Sequence, residues 1–251
     1  MNMDATTFVR HTTKLPTLPA LYYDLVRAIS DPYAMIDEIC GIIRRDQSLT
    51  TRLLKLANSA FYGLPTKVGT LQEVVQIIGL REIQDLVLAT SVIKAFEKLP
   101  THLIDVPSFW QHSIACGVAS SLLAEQRRDP MPERFFVGGL LHDIGRLIMF
   151  LNAPDESREI LLRCESQQEL SLKIEREVLG FDHAMLGAEL ILTWKLPRSL
   201  VEMVGCHHQV PSSTANVLDA FTVHYADFIV SVLEFGNSAE LYPSPLLAPK
   251  D

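Results

Sequence analysis

The chain has 251 residues, of which 48% are hydrophobic, and it carries a formal net charge of −8 at pH 7. This length allows one large domain or two closely associated lobes. An acidic chain lacks the positive field with which proteins hold a nucleic-acid backbone, so nucleic acid is not an expected partner. The arginine pairs at 44–45 and 127–128 are local exceptions, and we interpret them as solvated helix ends.

The cysteines and the N-terminal sequence indicate the cellular compartment in which the protein is expected. None of the cysteines at positions 40, 116, 164 and 206 belongs to a C-x-x-C pair. This pattern is typical of reduced, mostly buried thiols in a cytosolic protein. No basic segment followed by an apolar one begins the chain, which predicts no secretory signal. No apolar run reaches about 18 residues without a charge, which predicts no membrane span. We therefore expect a cytoplasmic protein with no membrane partner.

Apolar residues recur at three- and four-residue steps almost throughout, which predicts an all-α chain of about a dozen helices. Five are predicted in the N-terminal part: after Pro19, after Pro32, Leu49–Ser59, between Thr70 and Gly79, and Arg81–Lys98. Thr70 is expected to cap its helix, with Glu73 as its capping-box partner. Seven more are predicted in the C-terminal part: Ser108–Arg128, Glu133–Leu151, Pro154–Cys164, Gln168–Leu179, Asp182–Trp194, Pro197–His207 and Thr214–Leu233.

The predicted helices form one unit over residues 12–235, divided into an N-terminal lobe (12–100) and a C-terminal lobe (107–235) by a connector. Residues 236–251 form a Pro-rich tail, for which we expect an extended or disordered conformation. The expected architecture is thus a two-lobed helical bundle.

The run Leu140-Leu141-His142-Asp143-Ile144-Gly145 places a His and an Asp side by side in an apolar stretch predicted to be a buried helix. Two ionisable groups in a core cost several kcal/mol unless a partner compensates them. Further imidazole and carboxylate candidates lie on other predicted helices: His112, His183, His207 and Asp227. Facing helices of a bundle can direct such side chains into one metal site. Imidazole and carboxylate suit zinc, iron, manganese or nickel.

The alternative for any single buried His is a hydrogen-bonded core residue, and we prefer it for His11, His102 and His224. His208 adjoins His207, and neighbouring residues on a helix point about 100° apart. We therefore expect at most one of the two to be a metal ligand, with the other beside the site or on an anion.

The order His112, His142-Asp143 and Asp227 resembles the HD superfamily of metal-dependent phosphohydrolases, in which these positions bind metal. The residues Glu177, Gly180-Phe181-Asp182-His183, Gly187, Trp194-Lys195-Leu196-Pro197 and His207-His208 resemble its dinuclear branch. The resemblance implies one or two divalent transition-metal ions (Fe, Mn, Zn or Ni), with Asp143 as the bridge and His183 and His207 as further ligands. Phosphate would contact Arg146 or His208.

The first half resembles an HDOD domain, the HD-related output domain of bacterial signalling proteins. The segments that carry this resemblance are Leu15-Pro16-Thr17-Leu18-Pro19, Arg45-Asp46, Leu53 to Gly63 with its Asn-Ser-Ala-Phe-Tyr-Gly run, Thr70-Leu71 and Ile77-Ile78-Gly79-Leu80. It covers residues 12–235 and implies an all-α fold of two helical lobes with a regulatory role. Members of the family are often described as lacking demonstrated catalysis.

Two positions depart from the related HD-GYP phosphodiesterases. Arg146 stands where those enzymes carry Lys, and Gln209-Val210-Pro211 follows the His-His pair where they have a Gly-Tyr-Pro loop. Hydrolysis of cyclic di-GMP is therefore not expected. The guanidinium of Arg146 still suits a phosphate group.

Two functions remain open. The first is a non-catalytic signalling module that contacts a protein partner and is switched by a ligand such as a nucleotide. The second is a metal-dependent phosphohydrolase, in which Asp143 and Arg146 would have catalytic roles and bound metal would supply an activated water. The segment Asn58–Gly63 is either a lobe contact or, as we prefer, a helix end that caps a turn.

Overall fold

The computed structural model describes residues 4–59, 63–97, 103–209 and 217–246, and every regular element in these ranges is an α-helix. This confirms the all-α prediction. The chain divides into two compact units, one of residues Thr17–Ala95 and the other of Met1–Pro16 together with Phe96–Asp251. Residues 12–16, which the sequence grouped with the N-terminal lobe, thus belong with the C-terminal unit.

A short helix that the sequence analysis did not predict, α1 (Ala5–His11), begins the chain and packs in the C-terminal unit. Its Phe8 ring lies 5.1 Å from the ring of Phe181. Just beyond α1, the carbonyl of Pro16 accepts a hydrogen bond from the indole N–H of Trp194 at 2.9 Å. These contacts explain the grouping of the first residues, because they join them to a part of the chain remote in sequence.

The N-terminal unit contains α2 (Ala20–Ser30), α3 (Ile36–Ile43), α4 (Gln47–Ala57), α5 (Leu71–Ile78) and α6 (Leu80–Ala95). The capping box predicted at Thr70 and Glu73 is present at the start of α5. Gly79 ends that helix with φ +100°, a conformation that glycine adopts without a Cβ penalty.

Asn58 follows α4 and organises the chain beyond it. Its side-chain amide donates to the carbonyls of Leu54 and Val68 and accepts from the Val68 N–H, at 2.8 to 2.9 Å. This agrees with the helix-end interpretation of the segment. Ala60, Phe61 and Tyr62 lie outside the described residues, as does His102.

The C-terminal unit contains the helices on which the candidate site is built. They are α7 (Val106–Gln126), α8 (Arg134–Leu141), α9 (Ile144–Asn152), α10 (Pro154–Gln167), α11 (Ser171–Leu179), α12 (His183–Thr193), α13 (Arg198–Cys206) and α14 (Val217–Val232). Most bounds lie within a few residues of the predicted ones.

The exception is the predicted helix Glu133–Leu151. It is two helices, α8 and α9, and His142 and Asp143 form the turn between them instead of lying within a helix. Asp143 has φ −97° and ψ 10°, outside the helical region. The apolar pattern concealed this break because both flanking helices are buried all round.

Glycines allow the site-bearing helices to approach one another closely. A Cβ on Gly139 of α8 would lie 2.4 Å from the carbonyl oxygen of Cys116 in α7. A Cβ on Gly145 of α9 would lie 2.0 Å from the carbonyl oxygen of His183 in α12. No side chain fits at these distances, so the contact of α8 with α7 and that of α9 with α12 both require glycine.

Residues 236–246 have no regular structure but are not a free tail. Gly236 has φ +74°, and a Cβ there would lie 2.4 Å from the Ser108 carbonyl oxygen. The Asn237 N–H donates to that same carbonyl at 3.2 Å, and Ser238 and Ser244 are buried. The segment therefore packs against α7, while its last described residue, Leu246, is 51% exposed.

Among the described residues, one helical stretch, Arg134–Asn152, is long and apolar enough to cross a membrane, with a mean hydropathy of 1.3. It covers α8 and α9, and 83% of it is buried within the protein. Its apolar character is that of a core segment.

Candidate metal centre

Five elements of the C-terminal unit direct imidazole and carboxylate groups to one buried location. The side chains come from α7, the α8–α9 turn, the start of α12, the end of α13 and the middle of α14. They are His112, His142, Asp143, His183, His207, His208 and Asp227, and each is at most 6% exposed. All six predicted metal ligands are therefore close together, and His208 joins them.

The potential ligand atoms form two groups, in each of which all atoms lie within 4.8 Å of one another. Group 1 consists of His112, Cys116, His142 and Asp227. Group 2 consists of Asp143, His183, His207 and His208. Each group has four side chains, the number that zinc takes in tetrahedral protein sites.

Asp143 lies between the two groups. Its Oδ2 is 3.3 Å from Nε2 of His142, in group 1. Its Oδ1 is 3.0 Å from Nε2 of His183 and 3.8 Å from Nε2 of His207, in group 2. This carboxylate faces both groups with different oxygens, as would suit a ligand shared by two ions.

Hydrogen bonds at Nδ1 orient three of the imidazole rings. His142 donates to the Gly139 carbonyl at 2.7 Å, His207 to the Val204 carbonyl at 2.6 Å, and His183 to Glu175 Oε2 at 2.6 Å. Since these oxygens only accept, Nδ1 carries a proton and Nε2 is directed to the centre. Metal-binding histidines in proteins are oriented in this way.

Several of these inward-facing atoms have no hydrogen-bond partner among the described residues. They are His142 Nε2, Asp143 Oδ2 and His207 Nε2, of which the first two lie 3.3 Å apart as an ion pair. A buried polar atom without a partner costs about 1–3 kcal/mol. In addition, the Nε2 atoms of His183 and His208 are only 2.8 Å apart, so a proton or a cation must lie between them. The donor set and its orphaned atoms fit a divalent metal ion.

Charge supports the same conclusion. The buried carboxyl groups of Asp143, Glu175 and Glu240 surround the guanidinium of Arg146, and the carboxyl group of Asp227 contacts His112 and His142. Burial opposes ionisation of Asp143, but Arg146, His142 and His183 hold its pKa well below the usual range. Buried carboxylates are stable only with compensating positive charge, which Arg146 and the protons of His142 and His183, whose pKa values are raised, supply here and which a metal ion would supply in place of those protons.

The imidazoles differ in their tendency to take a proton. Burial disfavours a charged His142, yet Asp143 and Asp227 outweigh it and raise its pKa well above the ordinary value. Burial and the neighbouring imidazoles of His142 and His183 lower the pKa of His207 to about 3. His207 is therefore neutral at physiological pH, the state in which imidazole binds metal.

Arg146, the expected phosphate contact, is enclosed by protein groups. Its guanidinium lies 3.0 Å from Asp143 Oδ1, 3.0 Å from Ser171 Oγ, 3.3 Å from Glu175 and 3.5 Å from Glu240. Glu240 comes from the segment 236–246. A carboxylate of the chain thus lies where an anionic ligand of Arg146 would be expected.

Four polar residues around the centre were not predicted from the sequence: Cys116, Glu175, Glu240 and Ser244. Cys116 follows His112 by four residues, a spacing that places both on one helix face and was available as a signal. Glu177, part of the motif, is instead at the surface and pairs with Arg163. Ser244 Oγ lies 2.8 Å from His208 Nδ1. Nothing in the local sequence of Glu240 or Ser244 indicates these positions.

The other histidines considered in the sequence lie in different places. His207, which caps α13 with helical φ and ψ, and His208 both offer a nitrogen to group 2, although at most one of them was expected to be a ligand. His224 is buried one turn before Asp227 but belongs to neither group. His11 is exposed at the end of α1.

A helical unit that converges His and Asp side chains from five elements on one buried centre defines an HD-type protein. The profile of the HDOD domain matches residues 15–210, and the chain belongs to the HDOD family.

Solved structures with this fold include an HDOD domain protein of unknown function from Geobacter sulfurreducens, with a TM-score of 0.82, 22% identity, and coverage of 93% of this chain and 78% of that one. A protein from Shewanella amazonensis, provisionally named a phosphohydrolase, has a TM-score of 0.78, 26% identity and coverages of 93% and 83%. One from Marinobacter aquaeolei, provisionally named a signal transduction protein, has a TM-score of 0.71, 20% identity and coverages of 89% and 51%.

An uncharacterised protein from Treponema pallidum is 25% identical over 237 residues. The match covers 93% of this chain but 45% of that protein, so the chain spans about half the length of this curated relative.

Proposed function

We propose that this protein is a bacterial, cytoplasmic signal-transduction module whose HD-type centre binds one or two divalent transition-metal ions and has a regulatory, non-catalytic role. Its output would be a contact with a signalling protein, and a nucleotide is a candidate ligand. The metal would be held by His112, His142, Asp143, His183, His207 and Asp227.

Enclosure of the centre carries this proposal. The ligand side chains are at most 6% exposed, and Arg146 is 2% exposed. A phosphoester needs access to metal and to a cationic group, whereas here the carboxylates of Asp143, Glu175 and Glu240 surround the guanidinium. A closed centre suits a metal that stabilises a conformation better than one that turns over a substrate.

Elemental analysis of the untagged protein is the first test, with one to two metal equivalents per chain expected. The metal-loaded protein is then screened against bis(p-nitrophenyl) phosphate, nucleotides and cyclic dinucleotides, and no metal-dependent turnover is expected. A chain without metal would contradict the metal centre. Turnover that is lost in Asp143→Asn would contradict the regulatory role.

A metal-dependent phosphohydrolase is the second candidate, and the position of Arg146 beside group 2 favours it. Bound metal would supply Lewis acidity and an activated water at this site. Asp143 would hold the metal, and Arg146, or His208 next to it, would contact the phosphate after Glu240 moves away. In that case Arg146→Ala would abolish turnover while the metal content stays at the wild-type level.

A further inference from the structure

Cys116 is placed among the ligand atoms of group 1. It lies one helical turn after His112 in α7, is fully buried, and its Sγ is 3.4 Å from His112 Nε2. The thiol is free, and its sulfur lies within 4.8 Å of one ligand atom from each of His112, His142 and Asp227. In the same group, His142 Nε2 is buried without a hydrogen-bond partner among the described residues.

Three of the separations within group 1 are close to those between the ligands of one small cation, and the others are at most 4.8 Å. With zinc–nitrogen and zinc–oxygen bonds of about 2.0–2.1 Å and a zinc–sulfur bond of about 2.3 Å, tetrahedral ligands lie about 3.3–3.6 Å apart. His112 Nε2 is 3.1 Å from Asp227 Oδ1 and 3.4 Å from Cys116 Sγ, and His142 Nε2 is 3.6 Å from Asp227 Oδ1. The group needs only small side-chain adjustments to enclose an ion.

We propose that Cys116 is a metal ligand, and that its thiolate joins His112, His142 and Asp227, with Asp143 as the carboxylate shared with group 2, in a site for zinc or a cation of similar softness. The inference rests on the proposed metal centre and names the ligand that distinguishes group 1 from group 2. On binding, the metal replaces the thiol proton, which is released to solvent.

The two groups then differ in chemistry. Group 1 offers two nitrogens, one oxygen and one sulfur, whereas group 2 offers three imidazoles and a carboxylate. Thiolate favours zinc over iron or manganese, so group 1 is the site that selects zinc. The side chains of group 1, together with Asp143 Oδ2, would leave no position open to a substrate, as in structural zinc sites.

The test uses the full chain loaded with Zn²⁺ or, as a spectroscopic probe, with Co²⁺. Zinc K-edge absorption of the wild type is expected to show a sulfur neighbour at about 2.3 Å. The Co²⁺ protein is expected to show a thiolate-to-cobalt charge-transfer band. Cys116→Ser should remove both signals. Cys164→Ser, which changes another buried thiol, should keep them, as should His207→Ala, which alters only group 2.

The outcomes separate the two proposals. Stoichiometric metal without a sulfur signal in the wild type would overturn the role of Cys116 and leave the metal centre intact. A sulfur signal that persists in Cys116→Ser would overturn it as well. Should Cys116→Ser fail to fold, the wild-type spectrum together with Cys164→Ser, Cys40→Ser and Cys206→Ser decides by elimination. A wild type that binds no metal would refute the centre itself.

Discussion

At the scale of single residues, the site depends on how each ring is held. Gly139, Val204 and Glu175 accept the Nδ1–H bonds of His142, His207 and His183, which leaves the opposite nitrogens facing inward. Glu175 also accepts the backbone N–H of His183 at 2.8 Å, so one carboxylate fixes both the ring and the start of α12. The residues that orient the ligands are thus as much a part of the centre as the ligands themselves.

Loss of Asp143 is expected to have the largest effect on metal binding and stability. We expect His142→Ala and Asp143→Ala to lose stoichiometric metal and to unfold at a lower temperature, because bound metal stabilises by mass action and the remaining buried groups lose a partner. Breaking a buried pair costs about 3–5 kcal/mol. Elemental analysis and thermal denaturation measure both effects. Glu165→Gln, at an exposed position, is the control and should match the wild type. Wild-type metal content and melting temperature in both alanine variants would disprove the shared site.

Glu240 should give the metal-free protein a particular pH dependence. Burial raises its pKa from 4.5 to about 7, against the opposing effect of Arg146. Between pH 4.5 and about 7, the folded state keeps a proton on Glu240 that the unfolded state has lost. The contribution of this group to the free energy of unfolding therefore falls as the pH rises. Glu240→Gln removes that contribution. The melting temperature of the variant minus that of the wild type should therefore increase through the window and level off above it.

Thermal denaturation in the presence of a chelator measures this difference. Glu165→Gln should give a difference that does not change with pH. A constant difference for Glu240→Gln would show that Glu240 does not titrate in this window.

At the scale of helices, the site depends on crossings that only glycine permits. α9 meets α12 at Gly145 and Gly187, and α8 meets α7 at Gly139. These crossings set the distance between the α8–α9 turn, which carries Asp143, and the start of α12, which carries His183. A helix that moves outward takes its ligand with it, so packing and metal binding are coupled.

Gly145→Ala is expected to destabilise the fold and weaken metal binding, since its Cβ would lie 2.0 Å from the His183 carbonyl oxygen. Overpacking of this kind costs about 1–3 kcal/mol. The matched control is Gly41→Ala in α3, where a Cβ meets nothing within 4 Å. Replacing a helical glycine at such a position stabilises by about 0.5–1 kcal/mol. Denaturant unfolding and metal titration measure both variants, and equal stability of the two would contradict the argument.

At the scale of the whole molecule, the chain consists of two compact units, and the metal centre lies within one of them. The N-terminal unit has its own core, which includes Leu25, Ile43, Leu53, Val74 and Ile83. Part of the interior of the C-terminal unit consists of charged and polar groups. Its stability is therefore expected to depend on metal, whereas the stability of residues 17–95 comes from apolar burial.

Hydrogen exchange can test this difference. Addition of chelator is expected to speed amide exchange in α7–α9 and α12–α14, because metal raises the free energy of opening those helices. Exchange in α2–α6 should stay the same. An equal increase in both units, or none in either, would contradict a metal centre confined to the C-terminal unit.

The sequence by itself determined the helical class, most helix bounds, the capping box at Thr70 and Glu73, and the set of imidazoles and carboxylates that come together. These features depend on local periodicity, on neighbouring residues or on motif resemblance. Tertiary structure alone decided the break at His142 and Asp143, because an apolar period continues unchanged across two helices that are both buried. It also decided the grouping of α1 and the place of Glu240. Each of these results from contacts between residues far apart in the chain, which no local pattern encodes.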